Sequence, residues 1–235
     1  IAQRLFRNSL LTGLASALAA LDGLALVHSR TALLDNFLAF FTLLATYFFI
    51  RRNYWLTGLT LGLALSTKWS ALYFIAAFGL IALYRAFSHH TGKELIRPTS
   101  ERFTQFGFLP ILVYLTSWSG WFLNDRGWGR DYSENVFASF FYYHQQILGF
   151  HTGLTKNHTY EASPWSWLFM GRPTSFFYES PTGCGSQSCS QEVLALGTPI
   201  LWWLAIGAMA LVIGMWFRSM VTRHFDPAIT IIIAG

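Results

Sequence analysis

The chain has 235 residues, 53% of them hydrophobic, 18% aromatic and only 11% charged, where soluble domains carry about 25% charged residues. That deficit, with a mean hydropathy of +0.39, excludes an ordinary soluble globular domain and places the chain in the membrane class. Its net charge of +5 has a topological cause, because basic residues collect in cytoplasmic loops of membrane proteins, and it calls for no nucleic-acid partner.

In chain order, Leu10–Val27 and Ala32–Ile50 each come near the length of about 20 apolar residues that crosses roughly 30 Å of hydrocarbon. Trp55–Tyr84 is also apolar but is interrupted at Ser66-Thr67-Lys68-Trp69, which predicts two short helices, the first either a full pass or a re-entrant segment. Phe103–Leu123 and Pro199–Phe217 complete the set. Ile1 is not Met, no signal peptide is recognisable, and Pro227–Gly235 opens like a further apolar helix, so the chain is expected to be an internal fragment of a longer protein. Two passes through Trp55–Tyr84 put Arg4, Arg7, Arg51, Arg52, Arg85, Lys93, Arg97, Arg102, Arg218 and Arg223 on the inner side. Arg30, Lys68, Arg126, Arg130, Lys156 and Arg172 are then left outside. The expected organisation is membrane helices over 1–124, an extracytoplasmic aromatic-rich loop over 125–198, and a membrane helix with the start of another over 199–235.

Asp22, His28, Arg30 and Asp35 stand inside or beside the first two spans. An ionised side chain at membrane depth costs about 2.5–3.5 kcal/mol on insertion scales, so these groups are expected to serve a charged ligand. Arg30 and Lys68 fall at tight exterior turns, and a guanidinium fork beside an ammonium suits a lipid phosphate. The other reading has Arg30 snorkelling to headgroups and pairing with Asp22 or Asp35.

The exterior stretch Asp125–Thr198 opens with Trp128, Tyr132, Phe137 and Phe140 to Tyr143, a composition opposite to that of disorder. Asn135–Leu148 reads as an amphipathic helix on the membrane surface. Beyond it, His151, His158, Tyr160, Trp165, Trp167 and Arg172 suit a sugar or acceptor, since aromatic faces pack on pyranose C–H surfaces and polar tips take hydroxyls. The same residues also read as an aromatic belt. His144, His151 and His158 recur every seven residues, but Gly149 and Gly153 argue against one continuous helix, and no carboxylate or Cys stands beside them with ligand spacing, so no metal is expected. Asn157-His158-Thr159 matches a glycosylation sequon, and His89 and His90 are assigned to solvating the inner loop. Cys184 and Cys189, the chain's two cysteines, lie on the oxidising side and are expected to form a small disulfide.

Several of these runs together resemble the protein O-mannosyltransferase family. They are Leu21-Asp22-Gly23-Leu24, His28-Ser29-Arg30 to Asp35, Thr67-Lys68-Trp69, and His158-x-Tyr160 through Trp167 to Arg172-Pro173. Phe150-His151-Thr152-Gly153-Leu154 and Gly183-Cys184 to Cys189 are similar to the actinobacterial branch, whose donor is polyprenyl-phosphate mannose. The resemblance, covering about Leu10 to Phe217, implies a GT-C multi-span helical bundle in the cell membrane. It implies inverting transfer of mannose to Ser or Thr of secreted proteins at the outer leaflet, with no cofactor and with the secretion channel as a candidate partner. It implies that Arg30 binds the donor phosphate and stabilises it as leaving group; Lys68 is read beside it as a second cation, and Asp22 and Asp35 as groups that orient Arg30 or its polar neighbours. Thr159 and Leu168 stand where the family usually has Pro. The family's general base belongs to an acidic pair before the stretch matched here, so this piece alone is expected to be inactive. A lipid-phosphate-sugar transferase of the same fold acting on glycan or lipid is the alternative. A transporter, which would show repeated halves, and a scaffold rank below it.

Overall fold

The computed structural model describes residues 1–154, 160–185, 188–222 and 229. They divide into two compact units, one of Ile1–Asn36 with Tyr160–Gly235 and one of Phe37–Thr159. The expected helical architecture is present. Among the described residues three helices are long and apolar enough to cross a membrane, or four if a bent pair near the N-terminus counts as one span. His158, the Asn157 sequon, Lys156, Arg223 and nearly all of Pro227–Gly235 lie outside the described residues.

In the first unit, α1 (Ala2–Phe6) leads into α2 (Ser9–Ala20), whose start is capped by Asn8 Oδ1 accepting from Leu10 N at 2.9 Å and Leu11 N at 3.1 Å. The straight span expected over Leu10–Val27 is instead two helices, α2 and α3 (Gly23–Arg30), bent by 50°. Asp22 is the cause. It adopts an extended conformation and offers Oδ2 to Ala25 N at 3.4 Å, so its side chain caps a new helix instead of continuing the old one. At the other end of the unit, α12 (Pro199–Thr222) has 24 residues, about 36 Å at 1.5 Å per residue. Between them, β1 (Thr174–Glu179) pairs antiparallel with β2 (Gln191–Ala195), with a register shift between Ser175 and Phe177. This hairpin is the one departure from an all-helical chain among the described residues. It follows from the β-forming run Thr174-Ser175-Phe176-Phe177-Tyr178, and the Cys184–Cys189 disulfide closes its turn.

The second unit is built around α5 (Tyr54–Thr67), flanked by α4 (Leu34–Ile50) and α6 (Ala71–His89). The break between α5 and α6 falls at Lys68-Trp69-Ser70. At 14 residues, α5 is about 21 Å long, short of the roughly 30 Å of hydrocarbon. It is also the most buried helix, with Thr57, Thr60, Leu61, Ala64 and Leu65 in the core. Thr57 and Thr60 donate to the carbonyls of Asn53 and Leu56 at 2.9 and 2.8 Å, so no buried hydroxyl there is left without a partner. Gly58 and Gly62 let the next helix approach closely, in the small-xxx-small pattern of membrane packing. A Cβ at Gly62 would stand 2.6 Å from Val113 Cβ, and one at Gly58 would overlap the Gln105 carbonyl.

That next helix runs unbroken from a short 3-10 turn at Gly92–Leu95 through α7 (Ile96–Phe103), a π-turn (Thr104–Phe108), α8 (Leu109–Ser117) and α9 (Ser119–Leu123). It is longer than the Phe103–Leu123 read from hydropathy. The widened turn sits just before Pro110, which has no N–H to give Phe106 and whose ring crowds that carbonyl. Finally α10 (Val136–Gly153) is capped by Asn135, continues through Gly149 and ends at Gly153, so of the two glycines expected to break this helix Gly149 does not and Gly153 is its last residue. Glycine in a helix interior costs only about 1 kcal/mol against alanine.

Candidate functional site

In the first unit the site is organised by Asp22. Its Oδ1 accepts from Thr198 N and from Trp202 Nε1, both at 3.0 Å, while Gly23 N donates to Thr198 Oγ1 at 3.0 Å. A Cβ on Gly23 would stand 2.7 Å from the Leu196 carbonyl, so only glycine permits this approach. The α2–α3 bend is thus stapled to the start of α12. Asp22 orients Thr198 and Trp202, and none of its described hydrogen bonds goes to Arg30.

The short helix α3 carries His28 and Arg30 in its last turn. His28 meets Phe176 of the hairpin edge-on, with ring centroids 6.0 Å apart. Arg30 is exposed and, among the described residues, has no hydrogen-bond or ion-pair partner. Its charge complements the negative end of the α3 dipole, and Asp35 in the first turn of α4 complements the positive end of that helix. The chain reverses between them through Ala32, at φ 53°, with Thr31 N bonded to Val27 O and Leu33 N to His28 O. This tight turn leaves the Arg30 side chain at the surface.

Farther along the same unit, Tyr160, Glu161 and Arg172 come together. Arg172 Nη1 donates to the Glu161 carbonyl at 3.1 Å, and its guanidinium lies over the Tyr160 ring at 5.8 Å. A cavity of about 650 Å³ opens between the 161–166 and 171–172 segments. Beside it α11 (Pro164–Trp167) presents Trp165 and Trp167, 79% and 60% exposed. Rings this exposed suit a partner with both C–H faces and polar groups, such as a sugar or a lipid headgroup.

In the second unit, Lys68 ends α5 in extended conformation. Trp69, the next residue, starts a relay that sequence reasoning missed. Trp69 Nε1 donates to Tyr114 Oη at 3.1 Å, Tyr114 Oη lies 2.7 Å from His144 Nε2, and His144 Nδ1 lies 2.9 Å from the Phe140 carbonyl. A carbonyl only accepts, so Nδ1 carries the proton, and in the neutral imidazole Nε2 accepts from the Tyr114 hydroxyl. Both nitrogens of His144 are therefore engaged. Trp118 and Phe140 pack on the imidazole at 4.9 and 4.2 Å. The only sequence signal was aromatic density; nothing in the spacing linked positions 69, 114 and 144.

Near the start of α10, Tyr132 stacks on Tyr142 with centroids 3.8 Å apart. Together with Trp128, Asp125 and Asp131 they line a cavity of about 640 Å³. Stacked rings beside carboxylates form a second surface suited to hydroxyl-rich ligands. His151 lies exposed near the end of α10, in a different unit from Tyr160, Trp165, Trp167 and Arg172.

Comparison with known proteins covers nearly the whole chain. Residues 1–119 match the family model described as dolichyl-phosphate-mannose-protein mannosyltransferase. Residues 136–230 match the model of the C-terminal four-transmembrane region of protein-O-mannosyltransferase. The chain is similar to the polyprenol-phosphate-mannose–protein mannosyltransferase of Corynebacterium glutamicum, 29% identical over 290 aligned positions that cover 97% of this chain and 55% of that protein. The proteins of the same name from Mycobacterium tuberculosis H37Rv and Mycolicibacterium smegmatis are 28% and 30% identical. Those alignments cover 99% and 96% of this chain and 55% and 54% of theirs. The chain thus spans about half the length of the curated relatives it matches. No solved structure matches.

Proposed function

The chain belongs to the protein O-mannosyltransferase family, of GT-C membrane fold, and on that premise we propose that the protein transfers mannose from a polyprenyl-phosphate-mannose donor to Ser or Thr hydroxyls of secreted proteins. The observation that carries this reading is the match of nearly every residue to two models of one family, with relatives whose names state the same donor and the same class of acceptor.

In the reaction, the acceptor oxygen attacks the anomeric carbon from the face opposite the phosphate. The carbon–oxygen bond to phosphate breaks, polyprenyl phosphate leaves with the bonding electrons, and the hydroxyl proton passes to a base that none of the residues named here supplies. Arg30 is assigned to the donor phosphate, where a guanidinium gains most as negative charge develops on the leaving oxygen. An exposed arginine without a partner among the described residues, held at a helix end by a tight turn, supports that assignment. Lys68 contributes a second cation, with Asp35 as a group that tunes the surroundings. Tyr160, Trp165, Trp167 and Arg172, with His151 and His158, are assigned to the sugar or the acceptor. The active face is extracytoplasmic, in the cell membrane, with the secretion channel as the neighbour that delivers extended acceptor chains.

The test uses the full-length protein with radiolabelled polyprenyl-phosphate mannose and a Ser/Thr-rich peptide. Arg30→Ala should lower turnover by about 10²–10³-fold, the size seen when one preorganised donor to a developing oxyanion is removed. Normal turnover in that variant removes Arg30 from the leaving-group role, and transfer to glycan or lipid but not to peptide overturns the acceptor.

A further inference from the structure

At the end of the second unit remote from Lys68, four helix ends converge. They are the end of α4, the start of α5, the end of α6 and the first turns of α7. Together they enclose a cavity of about 510 Å³ lined by Arg51, Arg52, Arg85, Arg102, His89 and His90, and no carboxylate is among its lining residues. Positive-inside placement explains why such residues collect at one side of a membrane, but it asks only that they be solvated there. Two of the arginines are not merely solvated.

Arg85 Nη1 donates to the hydroxyl of Tyr54 at 3.3 Å, and the Arg102 guanidinium lies over the Tyr54 ring at 4.3 Å. Tyr54 is only 8% exposed, so one buried ring holds two like charges side by side. Arg102 is fixed a second time by Gln105, 3% exposed, whose Oε1 accepts from Arg102 Nη1 at 2.6 Å. Arg102 Nε is buried and has no hydrogen-bond partner among the described residues. Glu101, the adjacent acid, is engaged by Arg97 at 3.1 Å. Guanidiniums gathered with no anion between them repel one another, and a buried N–H without an acceptor is costly. The repulsion is relieved by one ligand with several charged oxygens.

We propose that this cavity binds the phosphate of an anionic phospholipid. A phosphate offers oxygens to several planar forks at once, and the capped N-terminus of α5, with Asn53 Oδ1 accepting from Leu56 N at 3.2 Å, adds a positive dipole end to the same wall. The lipid, and not a free anion, is indicated by the large apolar side chains exposed at the same end, Trp55, Phe87 and Phe103, which would lie against acyl chains. The site uses none of the residues assigned to the donor and is read out by binding alone, independently of mannosyl transfer.

The experiment titrates the full-length protein in neutral detergent with short-chain phosphatidylglycerol, short-chain phosphatidylcholine and inorganic phosphate, following bound lipid by native mass spectrometry and the thermal midpoint. Phosphatidylglycerol should bind and raise the midpoint. The Arg85→Gln/Arg102→Gln variant should weaken that binding by about tenfold or more, as expected for losing charge-assisted bonds to phosphate. Arg51→Gln/Arg52→Gln, with both side chains exposed, keeps the core intact and should weaken it by a smaller factor, which holds the test open if the first variant fails to fold. The proposal is overturned by unchanged phosphatidylglycerol affinity in whichever variants fold, by equal affinity for phosphatidylcholine, or by inorganic phosphate binding as tightly as the lipid.

Discussion

The two ends of the second unit share α5, α6 and the long helix that follows them, and differ in almost every other respect. At one end Trp69, Tyr114 and His144 close a relay in which each donor has an acceptor, packed among Trp118 and Phe140. At the other, Arg85 and Arg102 crowd onto Tyr54 and leave one guanidinium N–H without a partner among the described residues. The first end is satisfied within the protein, and the second gathers like charges with no carboxylate among the residues lining its cavity. A polar network that closes on itself contributes rigidity, whereas one left open is the better candidate for a binding site.

The sharpest way to break this contrast is through the helix pair that joins the two ends. Gly62→Val should have the largest effect, because any Cβ there meets Val113 at 2.6 Å and Pro110 at 3.0 Å. Overpacking of this kind costs about 1–3 kcal/mol and occasionally more. The thermal midpoint in detergent should fall, and hydrogen exchange should rise at both ends together; a change confined to one end would show that α5 and α8 do not couple them. Tyr114→Phe comes next. It strands Trp69 Nε1 and His144 Nε2, at a cost of about 1–3 kcal/mol, and should loosen only the aromatic end, leaving phosphatidylglycerol binding as it was. Lipid affinity that tracks this variant would mean that the two ends are one site. The smallest effect belongs to Arg97→Ala. That arginine lies at the basic end but outside the cavity and forms an exposed i,i+4 pair with Glu101, so stability should move by no more than about 0.5 kcal/mol. A marked loss of lipid binding there would reduce the cavity to a diffuse surface charge.

The first unit shows what spacing alone conveys. Asp22 and Gly23 stood out in the sequence because a carboxylate inside an apolar run needs a reason. The reason turned out to be a helix cap and a staple to Thr198 and Trp202, 176 and 180 residues away. Hydropathy averages over a window, so it read Leu10–Val27 as one span and passed over a bend made by one side chain. The β1–β2 hairpin was passed over for a related reason: a five-residue run inside a long aromatic stretch carries little signal until its partner strand is known. His144 was weighed only for its seven-residue spacing, and its actual partners, Tyr114 and Phe140, come from a different helix and from the turn before it.

Membrane class, the approximate positions of the helices, the break near Lys68 and the family resemblance were all fixed by sequence. Each depends on local composition or on short runs of residues, and an apolar helix forms in a bilayer whatever its neighbours. What Asp22 holds, which nitrogen of His144 is protonated, and which arginines share Tyr54 were decided only by tertiary structure. Those outcomes depend on distances of about 3 Å between residues far apart in the chain, which local composition does not encode.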